Sequence, residues 1–182
     1  MRLVSYYLAR RRNNITKPYT YGNVLDIGCG SSEILTEFIN IKDYCGIDID
    51  QKTIDKLSIC YPQNTFVCAD LDEDNLQINN KFDVVIMTAI IEHIYNQKFL
   101  FTQIIKYLKK GGTILITTPT PFGDFVHNIG ARMGIFSKIA IDEHIIIYNR
   151  RRFKVLANKF NLKLIKYKTF EFGCNQLVIL QK

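Results

Sequence analysis

Val24-Leu25-Asp26-Ile27-Gly28-Cys29-Gly30 sets a short apolar run, an acid and two glycines in immediate succession, with Ser31 and Ser32 directly behind. The apolar run reads as a buried strand. The serine hydroxyls can cap the free N–H groups of a following helix that carries Ile34, Leu35, Phe38 and Ile39 on one face. Glycine lets the backbone turn tightly between strand and helix and approach a ligand with no Cβ in the way. The helix then aims its unpaired N–H groups at that ligand. Position 33, where a dinucleotide fingerprint carries a third glycine, is Glu33, whose charge repels a pyrophosphate.

Outward from this turn, the next apolar run ends in Gly46-Ile47-Asp48-Ile49-Asp50, and the third closes with Ala69-Asp70-Leu71. An acid at the end of the second strand can accept hydrogen bonds from both hydroxyls of a ribose, and Asp70 can accept from the exocyclic amine of an adenine. Strands are expected near 23–27, 44–49, 65–68, 83–87 and 113–117, with helices between them, which is the alternation of a mostly parallel sheet covered by helices. One helix is predicted over 96–108, with Phe99, Leu100, Gln103, Ile104 and Leu108 in helical spacing, stopping at Lys109-Lys110-Gly111-Gly112. Pro119 and Pro121 end the fifth strand and open a segment, residues 119–148, that is long for a plain connection. A helix over 149–160 leads to strand-like runs at 163–170 and 175–180, joined around Gly173 as an antiparallel hairpin.

The bulk properties agree with one domain spanning 1–182, of which 1–20 form an N-terminal helix and its linker. The chain has 182 residues, 47% hydrophobic and 23% charged, the balance of a globular protein. No apolar run reaches the roughly 18 residues of a membrane span, and the stretch from Leu3 to Ala9 is too short for a secretory signal, so a cytoplasmic location is expected. Five cysteines form no C-x-x-C pair, which argues against structural zinc or a disulfide framework. The net charge of +7 and the clusters Arg10-Arg11-Arg12 and Arg150-Arg151-Arg152 are compatible with an anionic partner. No aromatic-interleaved motif accompanies them, so solvated helix faces are the preferred reading and nucleic acid is not favoured.

Taken in order, Val24 to Gly30, Gly46-Ile47-Asp48-Ile49, Ala69-Asp70-Leu71, Phe82-Asp83-Val84-Val85-Ile86 and Leu108 to Gly112 resemble the successive motifs of class I, Rossmann-like S-adenosylmethionine-dependent methyltransferases. The resemblance runs from about residue 20 to the C-terminus. It implies an α/β fold with a seven-stranded, mostly parallel sheet, an antiparallel C-terminal strand and helices on both faces. It also implies that Asp26, Gly28 and Gly30 line the methionine side of the cofactor, that Asp48 holds the ribose, that Asp70 reaches the adenine, and that Cys29, Ile49, Leu71 and Thr88 are further cofactor-binding residues. S-adenosylhomocysteine would be the product.

Methyl transfer from a sulfonium is an in-line displacement, so alignment and exclusion of water matter most, and a base helps only when the acceptor must lose a proton. The candidates follow strand four in Thr88-Ala89-Ile90-Ile91-Glu92-His93. His93 can serve as a base near neutral pH, and Glu92 can orient it. In part of the family an E-x-x-E-H pattern here binds a divalent metal. The first acidic position is Ala89 in this chain, so no metal is expected. Residues 119–148 read as a substrate lid, apolar through Phe122, Phe125, Phe136, Ile145-Ile146-Ile147 and Tyr148, polar through Asp142-Glu143-His144. His144 is a third catalytic candidate, and His127 is a poor one. The N-terminal segment Arg2 to Arg12, with Leu3, Tyr6, Tyr7 and Arg10 at helical spacing, is expected to fold over the cofactor cleft. A small-molecule acceptor is favoured; an RNA or protein methyltransferase and a noncatalytic cofactor-binding subunit are the alternatives, and a nicotinamide-dependent oxidoreductase fits poorly without the third glycine.

Overall fold

Runs of Val, Ile and Leu become strands because branched side chains fit a pleated surface covered on both sides. The computed structural model describes residues 2–32, 34–132 and 144–182. In it β1 (Gly22–Ile27), β2 (Ile41–Asp48), β3 (Thr65–Cys68), β4 (Phe82–Thr88), β5 (Leu108–Pro119), β6 (Lys163–Phe170) and β7 (Asn175–Gln181) form one sheet in the order β3-β2-β1-β4-β5-β7-β6. β1 pairs in parallel with β2 and β4, β2 with β3 and β4 with β5. Only β7 runs against its neighbours, wedged between β5 and β6. The strand order therefore reverses at β1. The crevice beyond the carboxyl ends of β1 and β4 is the place where open α/β sheets bind ligands.

The helices are α1 (Arg2–Thr16), α2 (Ile34–Glu37), α3 (Gln51–Cys60), α4 (Gln97–Tyr107), α5 (Pro121–Arg132) and α6 (Arg150–Lys159), with 3-10 turns at Lys17–Tyr19 and Ile91–His93. Two apolar layers sandwich the sheet. On one face Ile34 of α2 and Ile54 and Leu57 of α3 pack with Val24, Val84, Ile86 and Leu115, joined at the margin by Ile15 of α1. On the other, Phe101 and Ile104 of α4 and Phe153 of α6 pack with Leu25, Val85 and Ile116. Asn96 caps α4 by accepting the Phe99 N–H (3.2 Å), and Asn149 caps α6 by accepting that of Arg152 (2.9 Å). No helix among the described residues is long and apolar enough to cross a membrane.

Several local expectations change. The helix after the glycine turn is a single turn: Ile34 and Phe38 are buried, but Ile39 is 89% exposed because the chain leaves the helix after Glu37 and the Asn40 carbonyl accepts the Gly22 N–H (2.9 Å) at the start of β2. α4 ends at Tyr107, at the predicted stop, but β5 begins at Leu108, earlier than the strand expected near 113. Gly111 takes φ +79° there, and Lys109 Nζ lies 2.8 Å from Asp83 Oδ2. α1 continues to Thr16; Tyr7 and Arg10 face solvent, while Asn13 and Thr16 are buried. Residues 119–148 are not a uniform apolar lid. Their first part is α5, with Phe122 and Phe125 exposed, and Tyr148 belongs to the core, where its ring stacks on Phe153 with 4.6 Å between centroids. Phe136, Asp142, Glu143 and Glu33 lie outside the described residues.

Candidate active site at the carboxyl ends of β1, β4 and β5

The glycine turn is held from both sides. Gly28 and Cys29 donate their N–H groups to the Ile47 carbonyl (2.8 and 2.9 Å), and Gly30 donates its own to Asp48 Oδ2 (2.8 Å). Gly28 has φ +71°, and a Cβ on it would come within 2.8 Å of Ile90 Cδ1, so the turn closes tightly on the segment after β4. Gly30, at φ +49°, would place a Cβ within 4 Å of nothing, which leaves that side of the turn open. Cys29 is buried, and burial pushes its thiol up to about 12, so it acts as packing rather than as a nucleophile.

Asp26 is buried, and its Oδ2 accepts the Tyr44 hydroxyl at 2.7 Å. With that hydrogen committed, Tyr44 Oη accepts from Ser32 Oγ at 3.1 Å. Burial raises the Asp26 carboxyl to about 6 against the opposing pull of the Tyr44 hydrogen bond, and Asp48 adds to the rise. Asp48 is half-exposed and spends one lone pair of each oxygen on the N–H groups of Gly30 and Asp50 (2.8 and 3.0 Å). Ile49 is exposed beside it. Asp70 sits in a turn after β3, accepting the Asp72 N–H (2.9 Å) and donating its own to Asp74 (2.8 Å), whereas Leu71 is buried with Leu76 in the core. Thr88 lies at the end of β4 in register with Thr117 of β5. Both hydroxyls are buried with no hydrogen-bond partner among the described residues, the mark of a place that takes a water or a polar ligand.

Immediately beyond, the 3-10 turn presents Glu92 and His93. Glu92 is 1% exposed and accepts the Thr118 hydroxyl at 2.9 Å; burial raises its carboxyl, with Thr118, His93 and His144 working against that rise. Its main-chain carbonyl accepts the N–H groups of Ile145 (2.8 Å) and Ile146 (3.3 Å), and this clasp delivers His144 to the site. The His93 and His144 rings lie 5.2 Å apart, tilted by 57°. One ligating atom from each of Glu92, His93 and His144 falls within 4.8 Å of the other two, close enough for a divalent cation to bridge; Ala89 leaves no fourth protein donor on that turn. His144 also meets Asp124 of α5, whose Oδ1 is 2.8 Å from Nδ1.

His127 ranks low by sequence, Arg12 reads there as part of a basic cluster on the N-terminal segment, and Asp124 carries no signal of its own. All three join the cluster. Burial lowers His127, assisted by His144 and Arg12 and opposed by Asp124. Burial also lowers the Arg12 guanidinium, which Glu92 and Glu171 offset. Arg12 Nε is another buried donor with no hydrogen-bond partner among the described residues. The available signal for Asp124 is the amphipathic stretch after Pro121, which reads as a helix inside the expected lid segment.

Comparison with known proteins identifies the family of the chain. Residues 2–167 match the family model described as a methyltransferase domain. The malonyl-[acyl-carrier protein] O-methyltransferase 2 of Ilyobacter polytropus is 34% identical over 102 residues, 53% of this chain and 39% of its own length. The mitochondrial ubiquinone biosynthesis O-methyltransferase of Dictyostelium discoideum is 28% identical over 166 residues, 79% of this chain and 50% of its own. The chain thus spans half or less of the length of these curated relatives. Among solved structures, the plantazolicin methyltransferase BpumL superposes with a TM-score of 0.73 over 93% of this chain and 80% of that one at 16% identity. The N-methyltransferase NodS of Bradyrhizobium japonicum WM9 does so with 0.64 over 98% and 96% at 11% identity, and likenesses of this order speak to the fold. The chain belongs to the methyltransferase domain family and is a class I, Rossmann-like S-adenosylmethionine-dependent member of it.

Proposed function

We propose that the chain transfers the methyl group of S-adenosylmethionine to a small-molecule acceptor held at the carboxyl ends of β4 and β5, between α5 and residues 144–149. The observation that carries this reading is contiguity. Ile90 closes over Gly28 on the turn, and two residues later Glu92 and His93 meet His144. The acidic groups suit the cofactor by their chemistry. Asp26, Asp48 and Asp70 are acceptors at or beyond the ends of three adjacent strands, matched to an ammonium, a ribose diol and an adenine amine. Gly28, Cys29, Gly30, Ile49 and Leu71 supply the backbone and apolar walls, and the unpartnered Thr88 hydroxyl supplies a polar contact.

When bound, the cofactor supplies a methyl group on a sulfonium, already activated for displacement. The chain then has to align the acceptor and dry the site. Glu92 is anchored through Thr118 and sits beside both histidines. His93 and His144 each offer a ring nitrogen that can accept a hydrogen bond or a proton. The activities for which the relatives from Dictyostelium discoideum and Ilyobacter polytropus are named favour a metabolite or carrier-borne acceptor over a macromolecular surface.

Calorimetric titration with S-adenosylmethionine and S-adenosylhomocysteine tests the donor half; absence of binding by both would sink the proposal. Methyl transfer from labelled cofactor, screened against small metabolites and RNA, tests the acceptor half. Asp48→Ala is expected to weaken cofactor binding, and His93→Ala to slow transfer with the cofactor still bound.

A further inference from the structure

The imidazole of His144 is fixed on two sides by elements distant in sequence. Its main-chain neighbours Ile145 and Ile146 are tied to the Glu92 carbonyl, and its Nδ1 meets Asp124 Oδ1 at 2.8 Å. Asp124 is held in turn. Asn128 Nδ2, one helical turn on, donates to Asp124 Oδ2 (3.2 Å) and to the Asp124 carbonyl (2.8 Å). The helix that carries both is seated by Thr120, whose Oγ1 accepts the Gly123 N–H (2.9 Å) while donating to the Gly173 carbonyl (2.6 Å). A carboxylate can only accept, so in this pair the hydrogen belongs to Nδ1. A neutral imidazole with Nδ1 protonated has its lone pair on Nε2.

From this geometry, and resting on the methyltransferase reading above, we propose that Asp124 is a positioning residue that sets His144 as the proton acceptor, and that the acceptor substrate is a hydroxyl, an alcohol or a phenol. The acceptor O–H proton passes to Nε2 of His144. The oxygen lone pair forms the O–CH3 bond while the S–CH3 bond breaks, its electron pair staying on sulfur and discharging the sulfonium. A carboxylate acceptor arrives already deprotonated and has no use for a fixed base, whereas a hydroxyl retains its proton at neutral pH. The groups facing His144 fit this task. Asp124 stabilises the imidazolium as it forms; Glu92 and His93 from the 3-10 turn, His127 from α5 and Arg12 from α1 complete the surroundings.

The chain contains three histidines, so side-chain NMR of the full protein labelled with 15N-histidine resolves each after His93→Gln and His127→Gln assign the others. Above pH 8 the wild type is expected to hold His144 as the Nδ1–H tautomer, with Asp124→Ala shifting it toward Nε2–H and Asn128→Ala producing a smaller shift. An Nε2–H tautomer in the wild type overturns the proposal, as does displacement of the ring proton by one equivalent of Zn2+ together with loss of transfer in EDTA. In the transfer assay, catechol, benzyl alcohol, benzoate and thiophenol serve as probes. Methylation is expected at a hydroxyl, with kcat reduced on the order of 100-fold in Asp124→Ala while both KM values stay within about threefold. Transfer to benzoate or thiophenol in preference to the hydroxyls refutes the acceptor class. Failure to bind either cofactor form would defeat the transferase reading alone, because the tautomer is read without any substrate.

Discussion

Replacing Asp26 with asparagine separates the stability of the fold from the capacity of the site. The carboxyl is 3% exposed and its pKa stands at about 6 against an ordinary 3.8, with burial the leading cause. Each unit of pKa is worth about 1.4 kcal/mol, so keeping this group ionised inside the folded chain costs roughly 3 kcal/mol once both states are deprotonated. The sign follows from proton counting. Between the unfolded and folded pKa values the folded state binds more protons, so stability is greatest below the lower value, declines as pH rises through the window, and carries the whole cost above it. Integrated for one site, the penalty is about 1.6 kcal/mol at pH 5 and about 3 kcal/mol at pH 8. The asparagine side chain keeps an oxygen for the Tyr44 hydroxyl, carries no charge and adds an N–H pair whose burial costs about 1–3 kcal/mol at either pH. The absolute change therefore depends on how that amide settles, but its change with pH does not. Urea unfolding of cofactor-free protein should show the variant gaining about 1.4 kcal/mol on the wild type between pH 5 and pH 8. Calorimetry on the same samples should show at least a tenfold loss of S-adenosylmethionine affinity. A difference between variant and wild type that stays flat across that range would refute the assignment of a buried, strained carboxylate.

Other substitutions probe separate parts of the structure. Gly123→Ala would place a Cβ 1.8 Å from the Cys174 carbonyl oxygen, so α5 has to move; a loss of about 1–3 kcal/mol in chemical unfolding and a fall in transfer rate are expected together. Gly30→Ala meets no atom within 4 Å and costs only about 1 kcal/mol for its φ of +49°, which the same unfolding assay distinguishes from the first. Phe101→Ala removes a fully buried ring stacked at 5.3 Å on Phe160 and should cost about 3–5 kcal/mol, read as a shift in the urea midpoint with unchanged slope. Tyr44→Phe withdraws the hydrogen bond that restrains the Asp26 carboxyl, so the pH at which stability begins to recover on acidification should rise relative to wild type.

Much of the frame around the glycine turn was legible in the order of the amino acids because its determinants are local. A strand, a glycine turn and an acid at each of the next strand ends follow from patterning over a few residues, and register then lines up Asp26 with Gly46 and Ile86 on its two neighbours. The errors fell where a distant partner overrode local preference. Ile39 has helical spacing but is carried outward because Asn40 must pair with Gly22. Lys109 to Gly112 do follow a helix end, but the strand expected near 113 already starts at Leu108, where Lys109 meets Asp83 of β4. Tyr148 looks like a lid residue in a segment rich in apolar side chains, but Phe153 on the next helix gives it a stacking partner in the core. The acceptor half was the least readable. His127, Asp124 and Arg12 come from two helices, and nothing in their spacing announces that they converge on a turn at residues 92–93.

The two clasps described above, Glu92 with Ile145 and Ile146, and Thr120 with Gly173 and Cys174, bracket the stretch from α5 to residue 149 like the two ends of a cassette. Neither clasp touches the glycine turn or the acids of β1 and β2. A replacement stretch that preserved a hydroxyl at position 120, two free N–H groups at 145 and 146 and the core ring at Tyr148 would keep both anchor points in place. Such grafts would test whether this stretch sets the choice of acceptor while the sheet and its glycine turn stay constant.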